Sequence, residues 1–147
     1  MTTVLRRRIP QIFSGTFTPT MAFATPGTSS FSYDAQQGEY IRIGKWYSVT
    51  IQLVVTPTIG TGSGEVRFGG LPATAARFSA GSVSEAGGAN LTWAASRTML
   101  GFRVTANSTY GIITQLGSAQ SLIALQASSL TDGAAHTFRF AATYLSS

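Results

Sequence analysis

The chain has 147 residues, of which 44% are hydrophobic and only 10% are charged, with sixteen glycines and no cysteine. This length predicts one domain with a real core, and the lack of cysteine excludes disulfides and thiolate metal sites. Few charges and many Gly, Ser, Thr and Ala residues disfavour long solvent-exposed helices and favour short strands joined by tight turns. A surface so poor in charge is typical of one that other subunits cover, so we expect a homo-oligomer.

The net charge of +5 is unevenly placed, because Arg6, Arg7 and Arg8 form a basic cluster while the other seven basic and all five acidic side chains lie beyond residue 15. The nearly neutral body lacks the basic face of a nucleic-acid-binding protein, so no specific nucleic-acid partner is expected. No apolar run approaches the roughly 20 residues of a membrane span. The N-terminus also lacks the apolar segment and cleavage site of a secretory signal. We therefore expect no membrane partner and no export by the general route.

Residues 1–14 are interpreted as an extended docking arm that precedes a β-sandwich domain at residues 15–147. The arm contains Pro10 and does not alternate cleanly, yet it is too apolar for a solvated tail. It packs either on its own domain or on a neighbouring subunit or other protein, where its arginines would meet acidic groups; the second alternative is favoured. The predicted docking residues are Leu5, Arg6, Arg7, Arg8, Ile9, Ile12 and Phe13.

The stretch from Tyr33 to Thr56 predicts a hairpin around which the other strands are organised. Its long strand has an alternating apolar face, formed by Tyr47, Val49, Ile51, Leu53 and Val55, and Gly44-Lys45 supplies the preceding turn. Tyr40 and Arg42 share one face of the shorter strand, and Trp46 lies on the less apolar face of the long one. We therefore select Tyr40, Arg42 and Trp46 as candidate contacts to a sister subunit or a ligand.

The segments before this hairpin predict weaker strands. Residues 15–27 contain Pro19 and Pro26, which is typical of an edge strand or a bent strand. Residues 28–33 predict a short strand, and residues 34–38 predict a turn into the hairpin.

After the hairpin, the Gly-rich residues 57–64 predict a flexible connection, since the lysine and helix of a phosphate-binding loop do not follow. Short strands are predicted at residues 65–68, 77–85, 89–95, 99–106, 110–116 and 136–145, and the regular spacing of the turns is typical of a sandwich or barrel. The last strand is expected to be internal. Residues 119–130 are compatible with a helix or with a short strand followed by a turn of 3₁₀ helix.

No arrangement of residues predicts catalysis. His136 is the single histidine and has no acidic residue two positions away, and the five carboxylates are scattered singly. A metal site, a Ser-His-Asp arrangement or a glycosidase pair would need partners from distant turns. We expect a protein that is not an enzyme and uses neither a cofactor nor a metal.

Several short motifs occur in a familiar order: GEYIRIG at residues 38–44, a long alternating strand, EVRFGGLP at residues 65–72 and a closing AATYL at residues 141–145. This order, over residues 15–147, resembles a β-sandwich module of bacteriophage structural proteins, which occurs at the ends of tail fibres and in head fibre or decoration proteins. The matching positions are Gly38, Tyr40, Arg42, Gly44, Gly70, Leu71, Pro72, Tyr144 and Leu145.

The resemblance implies an all-β, antiparallel jelly-roll-like β-sandwich, a homotrimer and a place in the virion, after synthesis in the host cytoplasm. In fibres the module usually ends a long chain, whereas here it starts about fifteen residues from the first methionine. The arm is therefore expected to be the anchor, which favours a capsid decoration or cement protein, or a short head or tail fibre component, bound to capsid, neck or tail proteins. The alternative is a receptor-binding module that recognises host-surface glycan at a tail fibre or tail tip.

Overall fold

The computed structural model describes residues 11–147. Within this range the chain forms ten strands: β1 (Ile12–Phe17), β2 (Thr20–Thr25), β3 (Ser30–Ile43), β4 (Trp46–Thr58), β5 (Ser63–Gly69), β6 (Ser79–Ala86), β7 (Met99–Val104), β8 (Gly111–Leu116), β9 (Ile123–Ala124) and β10 (His136–Leu145). Two 3₁₀ turns lie at Gly88–Asn90 and Ala127–Ser129. The all-β prediction is confirmed.

The strands form a 10-stranded antiparallel sheet with the order β1-β3-β4-β10-β6-β7-β8-β5-β2, and β9 pairs with β8 beside this path. The sheet is curled and brings β5 across to β10, where the ring centroid of Phe68 lies 5.0 Å from that of Phe140. Phe23 on the terminal strand β2 and Phe31 on β3, the second strand from the other end of the path, have ring centroids 5.1 Å apart. Hydrogen bonds thus join the strands in one continuous curled sheet, instead of the two separate sheets of a simple sandwich.

The core lies inside this curl and follows from strict alternation on the two central strands. The apolar face predicted for β4, from Tyr47 to Val55, is buried, and Phe138, Phe140, Ala142 and Tyr144 are buried on β10. Strand β10 pairs with both β4 and β6, so its predicted internal position is confirmed. Alternate burial on paired strands removes a continuous aromatic and aliphatic surface from water.

The hairpin of β3 and β4 is confirmed, with Ile43 paired to Trp46 across a two-residue turn. Gly44 has a φ of 61°, and Lys45 has no positive φ. This is the pattern of a type II′ turn, in which glycine at the first central position avoids backbone strain.

The predicted turn at residues 34–38 is wrong, because β3 runs unbroken from Ser30 to Ile43. The pairing of β3 with β4 shifts register between Tyr33 and Ala35. A bulge thus accommodates the polar Asp34 without ending the strand, and the polar residues that suggested a turn lie within a long pair of strands.

The predicted strand at residues 89–95 is also wrong. Gly87 and Gly88 have φ values of 67° and 58°, which are incompatible with an extended strand and lead into the first 3₁₀ turn. Only Leu91 retains a β-bridge, to Leu130. For residues 119–130, the alternative of a short strand followed by a 3₁₀ turn is confirmed by β9 and the turn at Ala127–Ser129.

The boundary between arm and domain requires a correction. Residues 12–14, predicted as the end of the arm, are the first half of β1, in which Ile12 pairs with Ile43 and Phe17 with Gly38. Pairing with the edge of β3 satisfies those backbone groups of this segment that face β3, although its side chains do not alternate in polarity. The predicted docking residues Leu5 to Ile9 lie outside the described residues.

Candidate interaction surface

The outer face is defined as the side of β1, β3, β4, β10 and β6 that points away from the core. Cross-strand register places its side chains in rows. At the end nearest the Gly44-Lys45 turn, one row crosses four strands and is entirely apolar; we call it the apolar row, and it consists of Ile12, Ile43, Trp46 and Leu145.

Three of the four side chains in the apolar row are exposed to solvent, and the fourth, Leu145, is half-buried. The exposed fractions are 68% for Ile12, 45% for Ile43 and 49% for Trp46. Ile41, in the next row, is 52% exposed. Together with Phe13, which lies on the other face of β1, these side chains are five of the nine large exposed hydrophobics found between residues 11 and 147, and all five lie on β1, β3 and the start of β4. Such a contiguous exposed patch is typical of a protein contact.

Beyond the apolar row and Ile41, the outer face carries mostly polar side chains and is shallowly concave. A first groove of about 450 Å³ lies between β3, β4, β10 and β6. A second groove of about 550 Å³ lies between β1, β3 and β4 and shares Glu39 and Thr50 with the first. Hydroxyl and amide side chains dominate the lining of the first groove, which includes Gln37, Gln52, Ser82 and Ser84.

The charges near the grooves are few. At the far end of the first groove, Arg139 donates to Glu85 at 2.5 Å, and on β5 Arg67 donates to Glu65 at 2.9 Å. Glu39 is exposed in both grooves, and it forms no ion pair with any residue from 11 to 147. An exposed carboxylate between two grooves is a ready acceptor for a cationic group of a partner.

The structure divides the three candidate contact residues between the two faces. Tyr40 and Arg42 share a face as predicted, but this is the core side, where the Tyr40 ring lies 5.6 Å from that of Tyr47. The Arg42 guanidinium lies 5.8 Å from the Phe13 ring and 5.7 Å from the Tyr47 ring. Only Trp46 lies on the outer face, so the three residues do not form one site.

Arg42 is instead positioned by its own turn, because its Nε donates to the carbonyl of Gly44 at 2.6 Å. This hydrogen bond and the aromatic neighbours hold an exposed cation at the edge of the core, beside the exposed Phe13. Arg42 and Phe13 thus extend the apolar end of the molecule onto its second face.

Sequence reasoning missed Ile41, Ile43 and Glu39 as surface residues. The sequence did contain a pattern that indicates their position: Ile41 and Ile43 alternate with Tyr40 and Arg42, so they must point to the opposite face of the strand. Two isoleucines on the side opposite a core-facing pair indicate a second apolar surface. The register of β1, which adds Ile12 to that surface, had no such signal.

The described residues contain little that suggests chemistry. His136 is buried, and its Nε2 lies 3.1 Å from the carbonyl oxygen of Thr131. Between residues 11 and 147 there is no group of three or more His, Cys, Asp or Glu side chains placed to hold a metal ion. In the same range, no helix is both long and apolar enough to span a membrane.

The fold of this chain resembles part of a protein of known structure. The chain is similar to part of the crystal structure of the Dettilon tailspike protein, with a TM-score of 0.65 and 14% sequence identity over 90% of this chain. The match covers 23% of the tailspike chain, so the present chain corresponds to less than a quarter of that protein's length. No family model and no curated protein matches the sequence.

Proposed function

We propose that the protein is a bacteriophage virion structural component, built on a jelly-roll-like β-domain and assembled as a homotrimer. Two independent features support this proposal: the order of motifs from GEYIRIG to AATYL, and the similarity of the fold to part of a tailspike protein. A short head or tail fibre component or a capsid decoration protein fits a domain of this size.

The observation that carries the proposal is the apolar row. Ile12, Ile43 and Trp46 are each at least 45% exposed and adjacent in the sheet, so a lone chain would leave this hydrophobic surface in water. Burial of apolar surface stabilises association by about 25 cal/mol per Å² before the costs of ordering. We infer that a sister subunit covers the row and the adjoining outer face.

The second part of the proposal is an anchor at the N-terminus. The register of β1 places the start of the described chain beside the apolar row, so the segment of residues 1–10 joins the described chain next to the proposed subunit contact. Arg6, Arg7 and Arg8 in this segment would pair with carboxylates of a subunit or another virion protein.

The anchor is tested by deletion of residues 1–10, which leaves β1 complete. Removal of residues 1–14 would instead remove half of β1 and expose the edge of β3. We expect the protein without residues 1–10 to remain folded, as measured by its unfolding transition, but no longer to bind to virus particles. Full occupancy of virus particles by the protein that lacks residues 1–10 would contradict the proposal that this segment is the anchor.

A second function is favoured by the grooves. Their hydroxyl, amide and carboxylate side chains, with Trp46 exposed on the same face, are the groups that bind sugars. Recognition of host-surface glycan is therefore the alternative. Binding of the purified full chain to host cells, abolished by Gln52→Ala but not by Ser63→Ala on β5, would favour this alternative.

We further propose that the protein acts without catalysis. Glu65 and Glu85 are each engaged by an arginine, and His136 is enclosed in the core. These groups therefore lack the free, adjacent arrangement that general acid-base catalysis requires. Depolymerisation of host polysaccharide by the purified chain would contradict this part of the proposal.

A further inference from the structure

We propose that the outer face of one subunit, where the two grooves meet at Glu39, receives residues 4–9 of a sister subunit, with Arg7 paired to Glu39. This docking depends on the assembly proposed above and adds to it the occupant of the grooves.

The first step is the order of side chains along the outer face of β3. Ile43, Ile41, Glu39 and Gln37 follow one another at every second residue, which places neighbours about 6.6 Å apart on an extended strand. The sequence of this surface is therefore two apolar side chains, a carboxylate and an amide.

The second step is the matching order in the N-terminal segment. In an extended conformation, Leu5, Arg7 and Ile9 share one side, with the same spacing of about 6.6 Å. Ile9 placed against Ile41 brings Arg7 to Glu39 and the aliphatic Leu5 over Gln37. Ile9 thus meets an apolar side chain, and the cation of Arg7 meets a carboxylate that has no ion-pair partner among residues 11–147.

The third step concerns which copy supplies the segment. Ile12 lies opposite Ile43 at the turn end of β3, whereas Glu39 lies opposite Thr16, further along β1. The chain thus enters β1 from the side away from its own Glu39. Pro10 disfavours a helical turn at Ile9, so a return to the same subunit's groove would need a sharp reversal within a few residues. Ten extended residues reach about 33 Å, which is enough to reach a neighbour.

Disulfide trapping tests the pairing, because the natural chain has no cysteine. Two full-length chains of different size are mixed, refolded together and oxidised, one carrying Ile9→Cys and the other Ile41→Cys. We expect a disulfide between chains of different size on a non-reducing gel. The control pair combines Ile9→Cys with Leu122→Cys, a side chain that is 46% exposed and lies just before β9, away from the outer face; we expect no product from it.

Charge reversal tests the ion pair. Trypsin cleaves after Arg6, Arg7 and Arg8, so a docked segment is expected to be cleaved at least tenfold more slowly in the wild type than in Glu39→Arg. The double variant Glu39→Arg with Arg7→Glu should recover protection of the remaining arginines. Asp34→Arg, which changes an exposed acid outside the grooves, is the control and should leave cleavage slow.

The outcomes separate this inference from the proposed assembly. The docking is overturned, and the assembly left intact, if light scattering shows a trimer but no Ile9–Ile41 disulfide forms between chains. The same holds if the disulfide forms only within one chain that carries both substitutions. A monomer overturns both. The docking is also overturned if an oligosaccharide binds at Glu39 of the intact trimer without speeding the cleavage of residues 1–10 by trypsin.

Discussion

Ile12 and Ile43 face each other across β1 and β3, and both side chains are exposed on the outer face. If this pair lies at a subunit contact, Ile43→Thr should weaken assembly while keeping a β-branched side chain in the strand. Because each contact loses apolar area, we expect the protein concentration at half-assembly to rise at least tenfold, or about 1.4 kcal/mol.

The control for this substitution is Met99→Thr, which alters a side chain that is 65% exposed at the start of β7. Sedimentation across a concentration series measures both variants. Equal weakening by the two substitutions would show that assembly does not use the apolar row.

Phe68 joins the two halves of the curled sheet. Its ring lies 5.0 Å from those of Phe138 and Phe140 and 6.5 Å from that of Phe102. Phe68→Ala would leave a large cavity between β5 and β10, so the free energy of unfolding should fall by about 3–5 kcal/mol. Urea unfolding measures this change.

Phe78→Ala provides the comparison, since Phe78 is 60% exposed and contacts the Arg103 guanidinium at 5.0 Å. We expect a loss of about 1 kcal/mol or less. Similar losses for Phe68→Ala and Phe78→Ala would mean that the sheet does not close over Phe68.

Gly44 and Gly70 both have positive φ but differ in their surroundings. A Cβ at Gly44 would meet nothing within 4 Å, whereas a Cβ at Gly70 would overlap the carbonyl oxygen of Thr18. Gly44→Ala should therefore cost about 1–3 kcal/mol from the positive φ alone, and Gly70→Ala should cost more because the backbone must also move. Thermal unfolding of the two variants gives the order, and a smaller loss at Gly70 would contradict the packing of β2 against β5.

Tyr144 gives the fold an alkaline limit. Burial raises the pKa of its phenol from 10.0 to about 12, opposed by the Ala73 N–H that donates to it and aided by nearby Tyr47. The unfolded chain thus releases this proton near pH 10 and the folded chain near pH 12. The stabilisation of the folded state by the protonated phenol is complete below pH 10 and is lost as the pH rises toward 12. The free energy of unfolding falls over this interval by at most about 1.4 kcal/mol per pH unit.

Tyr144→Phe removes this ionisation and leaves the Ala73 N–H without its partner, at a cost of about 1 kcal/mol near neutral pH. Urea unfolding at pH 9 and pH 11 should show a steeper loss of stability for the wild type than for the variant. An equal loss in both would mean that the phenol does not resist ionisation in the fold.

The strands with strict alternation could be predicted from the sequence. On β4 and β10, every second residue from Tyr47 and from Phe138 is buried as expected, because a single face of each strand meets the core. Where polar or small residues dominate, local composition was misleading: Asp34 lies in a bulge within β3, and the segment predicted as a strand after Gly87 and Gly88 begins instead with a 3₁₀ turn.

The candidate surface was predictable only in part. Trp46 was identified because it lies opposite an apolar face, and it is exposed as that position implies. The rest of the apolar row depends on register: Ile12 joins Ile43 only because β1 pairs with β3 at that offset. Register is fixed by turn geometry and by a one-sided apolar pattern, and β1, which lacks that pattern and is not joined to β3 by a short turn, has neither.

The central claim is that three chains associate through the outer face. The most direct measurement is the molar mass of the full-length protein by size exclusion with light scattering at micromolar concentration, beside the Ile43→Thr variant. The claim predicts a particle of three times the chain mass of 15.4 kDa for the wild type, and a shift toward the single chain for the variant. A stable wild-type monomer would contradict it.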